Sequence, residues 1–191
     1  MMKIVIVAAL FIISCSRSHY TDPHVLIKTR LGDIEVEVYK AKAPVTATAF
    51  LDNVEWGIYD KSSFYRVLKT EQLPSDMNTG IIQGGIWPEL KNGNKITPIH
   101  HESTKQTGLT HTDGIISMAR TDTGTATTEF FICIGDQSPL DFARRGTSDG
   151  QGYAAFGKVF KGMDIVRKIH NQGNHGDIFD QKIEITVIKR L

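Results

Sequence analysis

Between residues 33 and 39 the chain alternates with period two: Ile34, Val36 and Val38 are apolar, while Asp33, Glu35 and Glu37 are acidic. Such alternation predicts a strand with one face in a core and the other in water. The preceding run, His24 to Leu31, is also strand-like, and Gly32 between the two predicts a hairpin. The period then changes. Ala47, Phe50, Leu51 and Val54 share one face of a helix that opens at Ala43-Pro44 and stops at Gly57. Proline is tolerated in a first turn because its missing N–H would have no intrahelical partner there. Further strand-like runs follow at Ser62 to Leu68, Gly80 to Gly85, Gly114 to Arg120, Glu129 to Ile134 and Tyr153 to Val159. Met163 to His170 is a second helix that buries Ile165, Val166 and Ile169, and Ile183 to Arg190 alternates as a closing strand. The stretches Trp87 to His111 and Asp141 to Gly152 are polar or glycine-rich and read as loops. Many short strands with two separated helices predict a mainly β fold, a closed antiparallel barrel capped by helices. Element order alone does not say which barrel.

The N-terminus follows different rules. Lys3 precedes an apolar run from Ile4 to Ile13, too short to span a bilayer but suited to the hydrophobic region of a signal peptide. Ile12-Ile13-Ser14-Cys15 resembles a lipobox, in which the cysteine is acylated and becomes the new N-terminus. Residues 1–14 are therefore expected to be a lipoprotein signal peptide, 15–23 a lipidated polar tether, and 24–191 a single domain. The acyl chains would anchor the protein stably to a membrane. Ser16 after the cysteine carries no retention-type aspartate, which favours the periplasmic face of the outer membrane.

Composition narrows the function. Hydrophobic residues make up 40% and charged residues 23%, as in folded domains. Removing residues 1–14 takes away Lys3 from the 22 basic residues and leaves a neutral chain with 21 acidic ones. Without a basic run, no nucleic-acid partner is expected. Cys133 lies in an apolar strand and reads as a small buried hydrophobe, so with Cys15 acylated no internal disulfide is expected.

Several motifs fail on context. Gly146-Thr147-Ser148-Asp149-Gly150 has the G-x-S-x-G spacing but lacks the buried strand before and helix after that a nucleophile elbow needs. His100, His101, Glu102 and His111 lack helical H-E-x-x-H spacing and a thiolate partner, and the histidines read as solvated loop residues, so no metal is expected. Gly80, Gly84 and Gly85 lack the lysine and hydroxyl of a phosphate loop. No cofactor is implied.

Five other segments agree in order and spacing. They are Phe64-Tyr65-Arg66-Val67-Leu68, Ile81-Ile82-Gln83-Gly84-Gly85, Gly114-Ile115-Ile116-Ser117-Met118-Ala119-Arg120 with Glu129-Phe130-Phe131-Ile132, Leu140-Asp141, and Phe156-Gly157-Lys158-Val159 with Gly162-Met163-Asp164. Together they resemble the cyclophilin family of peptidyl-prolyl cis/trans isomerases, over about residues 24 to 190. The resemblance implies an eight-stranded antiparallel barrel capped by two helices, acting on proline-containing polypeptides without metal or cofactor.

It also assigns roles. Arg66 is the expected catalytic residue, hydrogen-bonding the prolyl nitrogen. Ile81, Phe131 and Leu140 would line the proline pocket, and Gln83 would hold substrate or orient Arg66. Ala119 and Arg120 would offer main chain to the peptide. Tyr65, Glu129 and Tyr153 stand where the family carries histidine, glutamine and histidine, and Pro139 where it carries tryptophan. Glu129 would bring negative charge near Arg66. A pocket phenylalanine is replaced by Gly80, which implies a shallower pocket. The insertion Thr70 to Thr79 and the loop after Asp141 would extend the groove rim. A low-turnover chaperone or scaffold that binds proline segments is the alternative on the same fold. Without a coiled-coil pattern the chain is expected to be a monomer.

Overall fold

A computed structural model describes residues 21–70, 78–86 and 96–191. Cys15, most of the tether, Pro74 and Trp87 lie outside the described residues. Strands β1 (His24–Thr29) and β2 (Gly32–Val38) form the predicted hairpin, with Val25 opposite Val36 and Ile27 opposite Ile34. Helix α1 (Pro44–Glu55) follows, then β3 (Ser63–Lys69) and β4 (Gly80–Gly85). A single-turn helix α2 (Thr104–Thr107) precedes β5 (Ile115–Met118) and β6 (Phe130–Ile134). The chain ends with β7 (Ala154–Lys161), α3 (Met163–His170), the two-residue β8 (Asn174–His175) and β9 (Ile178–Arg190).

The strands run in the order β1-β2-β7-β5-β6-β4-β3-β9, and β1 pairs with β9 to close the ring. Eight antiparallel strands thus leave no open edge, and β8 hangs on β9 outside the ring. The interior is apolar. Phe50 of α1 sits 4.8 Å from Phe156 and 5.8 Å from Phe130, which also makes T-shaped contacts with Phe64 and Tyr59. Each fully buried ring is worth about 1.5–3 kcal/mol. Val166 and Ile169 bring α3 into the same core.

Two differences from the sequence reading have physical causes. The stretch 87–111 reads as mixed and loop-like, and within it 104–107 turns helically. The Ser103 N–H donates to Gln106 Oε1 at 2.8 Å, and Gly108 closes the turn at φ +71°. The last strand begins at Ile178 rather than Ile183. Its pairing with β3 jumps from Phe64↔Ile183 to Arg66↔Ile178, so an irregularity interrupts the alternation that would have revealed it.

Candidate active site

The outer face of four neighbouring strands carries a second, smaller apolar cluster. In β6 the side chains alternate: Phe130, Ile132 and Ile134 enter the barrel core, while Phe131 and Cys133 point outward. In β4, Ile82 goes in and Ile81 goes out. Strand register then builds rows across this face. Arg66, Gln83, Phe131 and Ser117 stand opposite one another in turn, and Leu68, Ile81 and Cys133 form the next row. With strands about 4.8 Å apart, a guanidinium stem and a phenylalanine two strands away are separated by about 10 Å.

A bulge makes this possible. Strict alternation after the inward Phe64 would send Arg66 into the core. Instead Phe64 pairs with Gly84 and Arg66 with Gln83, leaving Tyr65 as the extra residue. Tyr65 and Arg66 therefore both face the outer cavity, and Val67 returns to the core.

The cavity measures about 690 Å³ and is lined by Tyr65, Arg66, Ile81, Gln83, Ala119, Arg120, Glu129, Phe131, Leu140 and Tyr153, among others. All ten residues singled out from the sequence meet here. Phe131 and Ile81 form its floor, with Leu68, Ala119, Leu140 and Tyr153 packed around them. The Tyr153 ring meets Phe131 edge-on at 5.3 Å. Cys133 is buried beneath, and burial pushes its thiol far up, so it serves as packing.

Polar groups run along the rim. Arg66 Nη1 donates to Gln83 Oε1 at 3.2 Å, and Gln83 Nε2 donates to the Tyr65 hydroxyl at 2.8 Å. Tyr65 in turn donates to Glu129 Oε2. Burial and then the Glu129 carboxylate push the Tyr65 hydroxyl well above its ordinary value, which keeps that proton in place. Glu129 Oε1 also accepts the Ile86 N–H at 2.9 Å. A side chain at Gly85 would occupy the space of that carboxylate. Arg66 meets a different carboxylate, Asp177, whose Oδ2 accepts from Nη2 at 3.1 Å.

Arg120 is held elsewhere. Its two terminal nitrogens pair with both oxygens of Asp149 at 2.8 and 2.9 Å, its Nε donates to the Gly152 carbonyl, and its plane lies 5.4 Å from the Tyr153 ring. The pairing with Arg120 holds the exposed Asp149 carboxyl well below the usual carboxylate range. The loop after Asp141 thus does build the rim, through Gly146 and Asp149. Of the insertion, 71–77 lie outside the described residues, and Thr70 and Thr79 close its base by an N–H to carbonyl bond of 2.9 Å. Gly80 lines the cavity at φ +144°, where a Cβ would collide with the Leu68 carbonyl, so this backbone admits no side chain there.

The reading of His111 as solvated needs correction. His111 is fully buried, with Nδ1 2.7 Å from Asp141 Oδ1, Nε2 3.1 Å from Ser117 Oγ, and its ring stacked 5.9 Å from Phe131. Serine, histidine and aspartate in line look like a hydrolase triad, but Ser117 is itself wholly buried and cannot meet a substrate. They brace the pocket floor from behind. Glu102 is buried and accepts the main-chain N–H groups of Val45 and Thr46 at 3.2 and 2.6 Å. His101 is partly buried against the Gln151 carbonyl at 3.1 Å, and His100 is exposed. No group of metal-ligating residues occurs among the described residues. Sequence reasoning missed Asp177 and His111, because each depends on partners brought together only by folding.

A family description, cyclophilin type peptidyl-prolyl cis-trans isomerase, matches residues 24–190. The chain belongs to the cyclophilin family. Among curated family members, a peptidyl-prolyl cis-trans isomerase of Acinetobacter baylyi is 37% identical over 169 residues, covering 85% of this chain and 82% of its own. Peptidyl-prolyl cis-trans isomerase B of Escherichia coli is 35% identical over 161 residues, covering 81% and 91%. The barrel also superposes on a Cryptosporidium parvum cyclophilin type isomerase, crystallised in the presence of the dipeptide Ala-Pro. The TM-score is 0.66 at 22% identity, over 87% of this chain and 97% of the other. As a cyclophilin, the protein is a peptidyl-prolyl cis-trans isomerase with a closed antiparallel barrel.

Proposed function

We propose that this isomerase accelerates X–Pro rotation in envelope proteins as they fold, with Arg66 as the catalytic residue. The barrier of about 18–20 kcal/mol comes from amide resonance, which must break as the bond twists. In the twisted state the prolyl nitrogen regains a lone pair and can accept a hydrogen bond. A guanidinium is always charged and offers fixed donors, so it stabilises that state more than the planar one. The observation that carries the reading is Arg66 beside the apolar floor of Ile81 and Phe131 in one cavity. The proline ring would rest on Ile81, Phe131 and Leu140, while Ala119 and Arg120 pair main chain to main chain with the peptide. The C. parvum relative of the same fold, crystallised in the presence of Ala-Pro, supports a proline-containing ligand.

The lipid on Cys15 would hold the domain at the periplasmic face of the outer membrane as a monomer. The lipobox-like Ile12-Ile13-Ser14-Cys15 supports this, with Ser16 following. No described helix is long and apolar enough to cross a membrane.

Cis/trans exchange of an Ala-Pro peptide, followed by NMR with the full chain in mild detergent, tests the reading beside Arg66→Ala. The wild type should accelerate exchange, and Arg66→Ala should lose about tenfold or more while staying folded, since each 1.4 kcal/mol is tenfold. A wild type that binds the peptide without accelerating exchange would instead make the protein a proline-segment binder.

A further inference from the structure

The Gly176-Asp177 hairpin tip sits against Arg66 for reasons local to the chain. His175 pairs with Ile178, so the connection between β8 and β9 is a two-residue hairpin with Gly176 at φ +58°. That tip is pinned onto β3 from three sides. The Val67 N–H donates to the Asp177 carbonyl at 2.8 Å, Ile178 stands opposite Arg66, and Lys69 Nζ donates to Asn174 Oδ1 at 2.6 Å. Asn174 Nδ2 closes the turn on the Gly176 carbonyl at 2.7 Å. The Asp177 carboxylate is thereby delivered to one terminal nitrogen of Arg66, at 3.1 Å, while Gln83 takes the other at 3.2 Å.

We infer that Asp177 is a positioning residue for the isomerase reaction: with Gln83 it clamps both ends of the Arg66 guanidinium and fixes its plane toward the cavity. This rests on the catalytic reading of Arg66. A guanidinium is a rigid planar fork of five donors, so two acceptors on different terminal nitrogens define its orientation and leave other N–H groups for the prolyl nitrogen. The Arg66 side chain is 37% exposed and its stem is flexible, so Gln83 alone would leave the fork free to rotate. The effect belongs in the twisted state, where a small misplacement of the donor is costly.

The test measures kcat and KM for an Ala-Pro peptide with full-length Asp177→Ala and Asp177→Asn. Alongside, ¹⁵N relaxation of the Arg66 Nε–H signal reports how ordered the guanidinium is. Asp177→Ala should lower kcat by about three- to tenfold with KM nearly unchanged, and the Arg66 signal should become mobile. Asp177→Asn keeps an acceptor oxygen and should recover most of both losses. Should Asp177→Ala prove unstable, Asp177→Ser, which shortens the reach of the acceptor, must show the same loss of Arg66 order. Wild-type kcat with an ordered Arg66 in Asp177→Ala would overturn the inference, as would a loss confined to KM. If wild type itself lacks isomerase activity, the catalytic reading fails separately, and the Arg66 relaxation alone then decides whether Asp177 orders the guanidinium.

Discussion

His111 shows how one side chain can support a cavity it does not line. Its ring lies behind Phe131, and its two nitrogens are spent on Asp141 and Ser117. Burial disfavours the cation more than Asp141 favours it, so the pKa of His111 falls below the ordinary value of about 6.5. His101 and His170 shift the same way, again with burial as the largest cause. A base whose folded pKa is depressed takes its proton first in the unfolded chain. Stability should therefore fall as the pH drops through about 6.5 and level off once the folded pKa is passed. Urea midpoints at pH 7.5, 6.5 and 5.5 check this. They should decline, and His111→Asn should be less stable at pH 7.5 but show a shallower decline. A midpoint that does not move over this range would mean that these histidines are protonated equally in both states.

At the scale of elements, α1 is held from outside itself. Its N-cap residue, Ala43, offers no side-chain acceptor, yet the first turn needs partners for its N–H groups. Glu102, 56 residues away from Thr46, supplies both oxygens to that turn and a further bond to the Thr46 hydroxyl at 2.7 Å. A carboxylate at this end also complements the helix dipole. Glu102→Ala should cost about 1–2 kcal/mol in urea unfolding, and Glu102→Gln less, since an amide oxygen still accepts. An unchanged midpoint in the alanine variant would show that water replaces the carboxylate at no cost. The β3 bulge is the matching device at the pocket. It places two successive side chains, Tyr65 and Arg66, on one face, which a regular strand cannot do.

For the whole molecule, the barrel leaves its chemistry on the outer wall and its core free for packing. The proposed lipid on Cys15 would set where that wall works. Fractionation of cells should place the wild type with the membranes and Cys15→Ser in the soluble fraction, with peptide isomerisation intact in the latter. If the serine variant stays with the membranes, something other than the acyl anchor retains the chain.

Much of this protein was legible in its residues because the signals are local. Alternation placed β2 and most of β9, the 3.6 period placed α1 and α3, and strand-like runs located the other barrel strands. Residues Phe130 to Ile134 are apolar throughout, so the pocket role of Phe131 came only with the family resemblance, and its outward direction from the structure. The ordered segments around Arg66, Gln83 and Phe131 named the family. What only the tertiary structure decided depends on partners far apart in the chain. Asp177 reaches Arg66 across 111 residues, and Asp141 reaches His111 across 30. The bulge at Tyr65 exists only as a mismatch between paired strands. No periodicity encodes these contacts, because each is set by where the closed barrel brings its strand ends and loops together.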